Sequence, residues 1–406
     1  MKRFSLFIYF ILFSILAFCQ TVGIEDDGYS LLDGITVDNF PVVDGSDSTE
    51  PLRDILMCKT LGYDYVWERY SPFLKDPQKA KQEIKPEYPS YEICQYLNWE
   101  RQLRSNTHES FVNLIDGTAN LVIAARNASR DENVYAKEKG VALIEKPIAK
   151  DALTFMVSLK NNATALTTQE IQNIYMGNIT NWKEVGGPDL QMTPFIRNKN
   201  SGSQEKFETT IMNGLTIAKI PEWHVGRTMN APYSQIEATA GGLAFTPFYF
   251  YSVIIGYNST RALDVDGVAM TKENIMNGTY PYITEVYASV RSDIDRDSPA
   301  YRMFEFLTTP AGQAMVDESG YISLSAFTNI GSPKVSSTKL TYSNGDIMIH
   351  SEKSPASIKV IGLSGAIMIA KPISSNHLQT GNLPKGTYII KIAFHDGTSY
   401  DAKIQI

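Results

Sequence analysis

The stretch LTTQEIQNIYMGNITNWKEVGG, residues 166–187, decides how this chain is read. Thr167 and Glu170 stand at capping-box spacing, Ile171, Ile174 and Tyr175 recur at helical intervals, and Gly177 supplies a stop, so a short amphipathic helix is predicted. Outward from it, short apolar runs alternate with further helical patterns from Gly34 to about Leu324, the signature of an α/β layer fold. The predicted strands are 120–125, 141–145, 153–159, 192–197, 242–246 and 283–289. Pro51 suits the first turn of a helix whose Leu52, Ile55 and Leu56 share a face and which stops near Gly62. Phe111, Leu114 and Ile115 repeat that spacing before Gly117, as do Phe207 and Ile211 before Gly214.

Three of these helices open on small hydroxyl and amide residues: Asp47-Ser48-Thr49-Glu50-Pro51, Ser105-Asn106-Thr107-His108-Glu109-Ser110 and Arg197-Asn198-Lys199-Asn200-Ser201-Gly202-Ser203-Gln204. A helix start leaves backbone N–H groups unpaired at the positive end of its dipole, so three converging starts would cage a tetrahedral anion in donors. Arg197, four residues before Ser201, adds a guanidinium whose paired N–H groups fit an oxyanion in a fixed orientation. The net charge of −7 and the lack of a basic stripe argue against nucleic acid as a partner, so an anion must be held by local donors.

With 406 residues, 43% of them hydrophobic, the chain can bury at least two cores. No central run of eighteen apolar residues is long enough to span a bilayer. Lys2 and Arg3, the apolar run 4–18 and the small residues Ala17 and Cys19 predict a signal peptide over 1–19, hence a secreted or cell-surface protein that passes through the periplasm. A periplasmic protein, or one lipid-anchored at Cys19, is the alternative. Cys58 and Cys94 could pair in an oxidising compartment or stay as thiols, with Cys58 in an apolar helical run. None of the five histidines shows ligand spacing, so neither a metal nor a cofactor is expected. Ser110 and Ser351 lie near a histidine without a nucleophile motif, so no catalytic residue is expected and the chain is read as a non-enzyme.

Residues 63–104 break the rhythm with tyrosines and tryptophans among many charges, and are expected to form an inserted subdomain with a small core of its own. After Ser332 the texture is helix-free and alternating, which predicts an all-β sandwich of about 70 residues.

Residues 166–187 strongly resemble a motif of PstS-like phosphate-binding proteins of ABC transporters. Residues 197–207 resemble that family's arginine and Ser-Gly-Thr loop, and 301–324 its closing helix pattern. The resemblance implies an α/β, two-lobe periplasmic-binding-protein fold of type II over 20–325, closing on phosphate or a similar oxyanion. It also implies an ABC transporter permease as partner, and a monomer. Position by position, it places Thr49, Glu50, Thr107, Arg197, Ser201, Gly202 and Ser203 around the phosphate. Where the family puts an aspartate or serine after the strand 121–124, this chain has Ala125 and then Arg126. The aspartate accepts the proton of monohydrogen phosphate, so phosphate, sulfate, or a surface structural role on the same fold all stay open. Asp47, Glu109 and Glu50 are the carboxylates beside the loops, and Asp47 is the first choice of proton acceptor. Arg126 either lines the cleft or pairs with Asp131 or Glu132 on the surface. Finally, residues 335–406, after a linker at 326–334, resemble the type A sorting domains of the Bacteroidota type IX secretion system, which implies that machinery as a partner.

Overall fold

The computed structural model describes residues 27–70, 81–256, 260–324 and, with short breaks, most of 339–405. The expected signal peptide 1–19, Cys19 and the linker 326–334 lie outside the described residues. The first part of the chain is a mixed α/β body on an eight-stranded sheet, the type II periplasmic-binding-protein architecture, and an all-β unit follows. The strand order is Val43–Gly45, Leu121–Ala124, Ile283–Arg291, Leu143–Ser158, Gly242–Pro247 and Thr193–Pro194, with Thr260–Ala262 and Ile322–Ser323 also pairing with the long strand Leu143–Ser158.

That long strand corrects one expectation. Residues 141–145 and 153–159 are the two ends of a single strand, because the charged, proline-bearing stretch between them stays in the ladder. The register shifts there: Tyr287 faces Pro147 and Val286 faces Ala149, leaving Ile148 as the extra residue of a bulge. A bulge is where a residue without an N–H can sit inside a sheet. Asp151, 3% exposed, is tolerated because its Oδ1 accepts from the N–H groups of Ala152 at 2.8 Å and Tyr249 at 2.9 Å. Burial still pushes its pKa up to about 7. The opposite correction applies to 192–197, which divides into Thr193–Pro194 on the main sheet and Ile196–Arg197 beside Val225–Gly226.

Residues 143–152 pair with Ile283–Arg291, and 153–158 with Gly242–Pro247 and Thr260–Ala262, so one strand runs from the first lobe into the second. Its side chains feed two cores. Ile148, Ala149 and Met156 join the cluster of Leu52, Ile55, Leu56 and Phe304, whereas Phe155 and Val157 join that of Ile171, Tyr175, Trp182 and Phe207. The helix Thr168–Tyr175 forms as expected: Thr167 Oγ1 accepts from Glu170 N–H at 3.2 Å, and the Glu170 carboxylate accepts from Thr167 N–H at 2.7 Å.

The inserted segment is a hairpin, Tyr65–Tyr70 and Lys81–Pro86, followed by the helix Tyr91–Tyr96 and a π-helical turn Leu97–Arg101. It does not build the small core expected of it. Ile84 and Leu97 are buried in the cluster of Leu52 and Ile55, and Tyr63, Trp67, Tyr88 and Ile93 pack against it. A two-stranded hairpin has too little apolar area to stand alone, so it leans on the helix Glu50–Leu61. Cys58 in that helix is buried, Cys94 half-buried, and both are free thiols.

Beyond residue 339, Lys339–Ser343, Asp346–His350 and His377–Gln379 form one sheet. Ile367–Pro372, Pro355–Gly362, Thr387–Phe394 and Ser399–Gln405 form another. Ile347 and Ile349 from the first meet Ile358, Val360, Ile390 and Ile392 from the second in one small core.

Candidate functional site

The first wall of the site is organised by Asp44, fully buried in the middle of the short strand Val43–Gly45. Its carboxylate accepts from the N–H groups of Gly45 at 2.8 Å and Ser105 at 3.2 Å and from the Asn113 amide at 2.8 Å, tying the loop after this strand to the loop before the helix Thr107–Ile115. Gly45 is needed where it is: a Cβ there would stand 1.9 Å from the Ile123 carbonyl oxygen. Just beyond it, Ser46 Oγ accepts from Ala125 N–H at 3.0 Å and lies 2.8 Å from Thr107 Oγ1, so three loops of the first lobe meet at one hydroxyl.

The second wall comes from across the cleft. Arg197 is 6% exposed, held by Nε donating to Gly226 O at 3.1 Å and Nη1 to the Met229 sulfur at 3.0 Å. Its Nη2 has no protein partner among the described residues. Burial pulls its pKa down to about 10, against the opposing pull of Asp47, so it remains cationic at neutral pH. Gln204, buried in the same turn, accepts from Arg197 N–H at 2.9 Å and fixes the arginine to the helix start Gly202–Lys206.

Between the walls lies a cavity of about 90 Å³ lined from one lobe by Ser46, Asp47, Ser48, Thr107 and Ala125, and from the other by Arg197, Asn198, Ser201, Gly202 and Ser203, with Arg227 and Met229 at its side. That is several times the ~10–15 Å³ one water requires. The N–H groups of Asp47, Ser48, Thr107, Gly202 and Ser203 find no acceptor among the described residues, as expected at the starts of helices, and the hydroxyls of Ser48, Ser201 and Ser203 have no protein partner there either. The wall is therefore rich in unpaired donors. Its acceptors are few: the Asp47 carboxylate, exposed at the mouth, and the buried Asn198 Oδ1, which has no hydrogen-bond partner among the described residues. Crowding by the cleft raises the Asp47 pKa, Glu50 raises it further, and Arg197 opposes both.

Six expected residues thus come together here: Asp47, Thr107, Arg197, Ser201, Gly202 and Ser203. Thr49, Glu50 and Glu109 do not line the cavity. The Thr49 hydroxyl faces backbone carbonyls, 2.6 Å from Ile123 O and 2.9 Å from Ser46 O, and Glu50 pairs with Arg104 at 2.8 Å in a neighbouring cavity. Glu109 is exposed, its N–H taken by the Asn106 cap at 3.1 Å. Arg126 points away from the cleft, yet not to the surface: 3% exposed, it makes two 2.7 Å bonds to the fully buried Glu132, whose Oε1 is also 3.0 Å from His108 Nδ1. Ser46, Ser48, Asn198 and Arg227 were not foreseen. Ser48 and Asn198 sit within the helix-start segments, so their position was a signal; Ser46 and Arg227 carry none that one sequence displays.

A mixed sheet crossed by strands common to both lobes, with the polar cavity between them, defines a solute-binding architecture. The PBP superfamily domain matches residues 88–304, more than half the chain, and the protein belongs to that superfamily. Among curated relatives, the phosphate-binding protein PstS of Borreliella burgdorferi is 27% identical over 218 residues, covering 52% of this chain and 76% of the relative. Protein SphX of Synechococcus elongatus is 25% identical over 232 residues, 55% of this chain and 68% of its own. An ABC-type phosphate transport receptor from Vibrio cholerae superposes with a TM-score of 0.47 at 21% identity, over 70% of this chain and 99% of that one.

Proposed function

We propose that this protein is an extracytoplasmic, non-enzymatic solute-binding protein that captures inorganic phosphate between its lobes. The observation that carries the reading is the interlobe cavity in which unpaired N–H groups and serine hydroxyls surround the Nη2 edge of Arg197. The PstS relatives named above support phosphate as the ion. The acceptor for its proton is Asp47, with Asn198 Oδ1 on the opposite side, in place of the residue that Ala125 lacks. A donor-only wall would suit sulfate equally, so these two acceptors separate the readings: monohydrogen phosphate leaves its own proton unpaired without them.

The resemblance of residues 166–187 extends the proposal to delivery to an ABC transporter permease by a monomeric receptor. That of residues 335–406 extends it to export through the type IX secretion machinery, with surface display or release. The decisive experiment is calorimetric titration of phosphate and sulfate into wild type and Arg197→Ala. Loss of one partner of a buried charge-assisted bond costs ~2–5 kcal/mol, so the variant should bind phosphate at least tens of times more weakly. Equal phosphate affinity in both proteins would overturn the assignment.

A further inference from the structure

Under the hairpin and helix that roof Glu50–Leu61 lies a second, much larger chamber of about 780 Å³. Three side chains on its wall offer acceptors with nothing to accept. Asp54, 6% exposed, has neither a hydrogen bond nor a salt bridge among the described residues. Gln102, 2% exposed, gives its Nε2 to the Arg53 carbonyl at 3.1 Å while its Oε1 has no donor. Glu83 also has no hydrogen-bond or ion-pair partner among the described residues, but it is exposed and stands at the chamber's rim. Three donors on the same wall are committed elsewhere: Arg104 to Glu50 at 2.8 Å, Lys85 to Glu68 at 2.9 Å, and the Asn98 amide to the Cys94 sulfur at 3.3 Å. Arg53 is close but does not line the chamber; its Nη1 donates to Leu103 O at 2.6 Å, and its buried Nε has no hydrogen-bond partner among the described residues. Buried acceptors without donors are costly and rare, and a ligand bearing N–H groups would satisfy them.

The chamber and the anion cavity flank a common neighbour. A middle cavity of about 210 Å³ shares Asp54, Glu83, Ile84 and Arg104 with the chamber and Asp47 and Met229 with the anion cavity. Asp47 and Asp54 lie seven residues apart along nearly continuous helix, on the order of 10 Å at ~1.5 Å per residue.

We propose that the full binding compartment takes a phosphorylated organic amine, its phosphoryl group against Arg197 and its ammonium against the Asp54 carboxylate and Gln102 Oε1. This rests on the anion reading above and adds the second half of the ligand. Burial, with Glu50 next, lifts the Asp54 pKa to about 7 against the pull of Arg104 and Arg53, and a bound ammonium would hold it ionised.

The test is calorimetry at pH 7.5 on the full chain with inorganic phosphate, hexyl phosphate, 6-aminohexyl phosphate and its N-acetyl derivative. Wild type should bind the free amine on the order of 10-fold or more tighter than hexyl phosphate, as a charge-assisted bond in a buried site allows. Acetylation should erase that advantage, and so should Asp54→Asn; Arg197→Ala should lose all the ligands. An amine that gives wild type no advantage overturns the inference, as does an advantage that survives acetylation or Asp54→Asn. Wild type that ignores inorganic phosphate would instead defeat the anion reading itself. The acetylated probe needs no variant, so a folding defect in Asp54→Asn cannot mask the answer.

Discussion

Gly202 of the second lobe stands against Thr107 of the first so closely that a Cβ on the glycine would lie 3.0 Å from Thr107 Oγ1. Since Thr107 is itself held 2.8 Å from Ser46, it has little room to retreat. Gly202→Ala should therefore hold the lobes apart and weaken anion binding roughly tenfold, since a ligand that bridges two lobes pays for every obstacle to their closure. Small-angle scattering with saturating phosphate checks the geometry: the variant should keep a larger radius than wild type. An unchanged affinity and radius would show that the approach is not limiting.

Selectivity should reside in the acceptors. Wild type should prefer phosphate over sulfate, and both Asp47→Asn and Asn198→Leu should reduce that preference. An unpaired buried donor costs roughly 1–3 kcal/mol, about 5- to 150-fold in relative affinity. Competition titrations of the two anions read the ratio directly. A ratio untouched by either change places the acceptor elsewhere.

Asp54 gives a stability signature with a definite sign. Its folded pKa, about 7, is above the ordinary 3.8, so between those values the folded state holds a proton that the unfolded state has released. Stability contributed by the neutral carboxyl is thus full below about pH 4 and falls away as pH rises toward 7. Asp54→Asn should raise the melting temperature at pH 8 and leave it nearly unchanged at pH 4, with a gain bounded by roughly 4 kcal/mol. Thermal melts at the two pH values decide it; a loss at pH 8 would contradict the burial argument.

Glu132→Gln should be among the most destabilising conservative changes in the first lobe. The carboxylate pairs with buried Arg126 and also accepts from Ser129 N–H at 2.7 Å to close the cap of the helix Arg130–Glu138. Breaking a buried ion pair from one side costs ~3–5 kcal/mol. Urea denaturation of the variant reads the loss, and a change under 1 kcal/mol would mean that the pair is not a structural tie.

Local signals made much of this molecule legible. Capping boxes, glycine stops and apolar spacing mark the helices, and three helix starts announced most of the cavity wall. What failed to show was everything settled by tertiary pairing. Pro147 and Asp151 fall between the strands expected at 141–145 and 153–159, and a bulge and two backbone donors keep them in the ladder. On sequence alone Arg126 is open between the cleft and a surface pair with Asp131 or Glu132; burying it together with Glu132 is a property of the packed state. Thr49 and Glu50 sit on a helix start that does reach the cavity, but the turn Asp47–Thr49 rotates their side chains away from it.

The strand Leu143–Ser158 contributes side chains to both large cores and is paired in both lobes. The lobes are accordingly not two beads on a string: neither can melt while leaving this strand's ladder intact for the other. Heat or urea should take residues 27–324 apart in a single cooperative event, and a protease cannot cut the body into two surviving halves. The sandwich beyond residue 339, with a core of its own, should register as a separate transition.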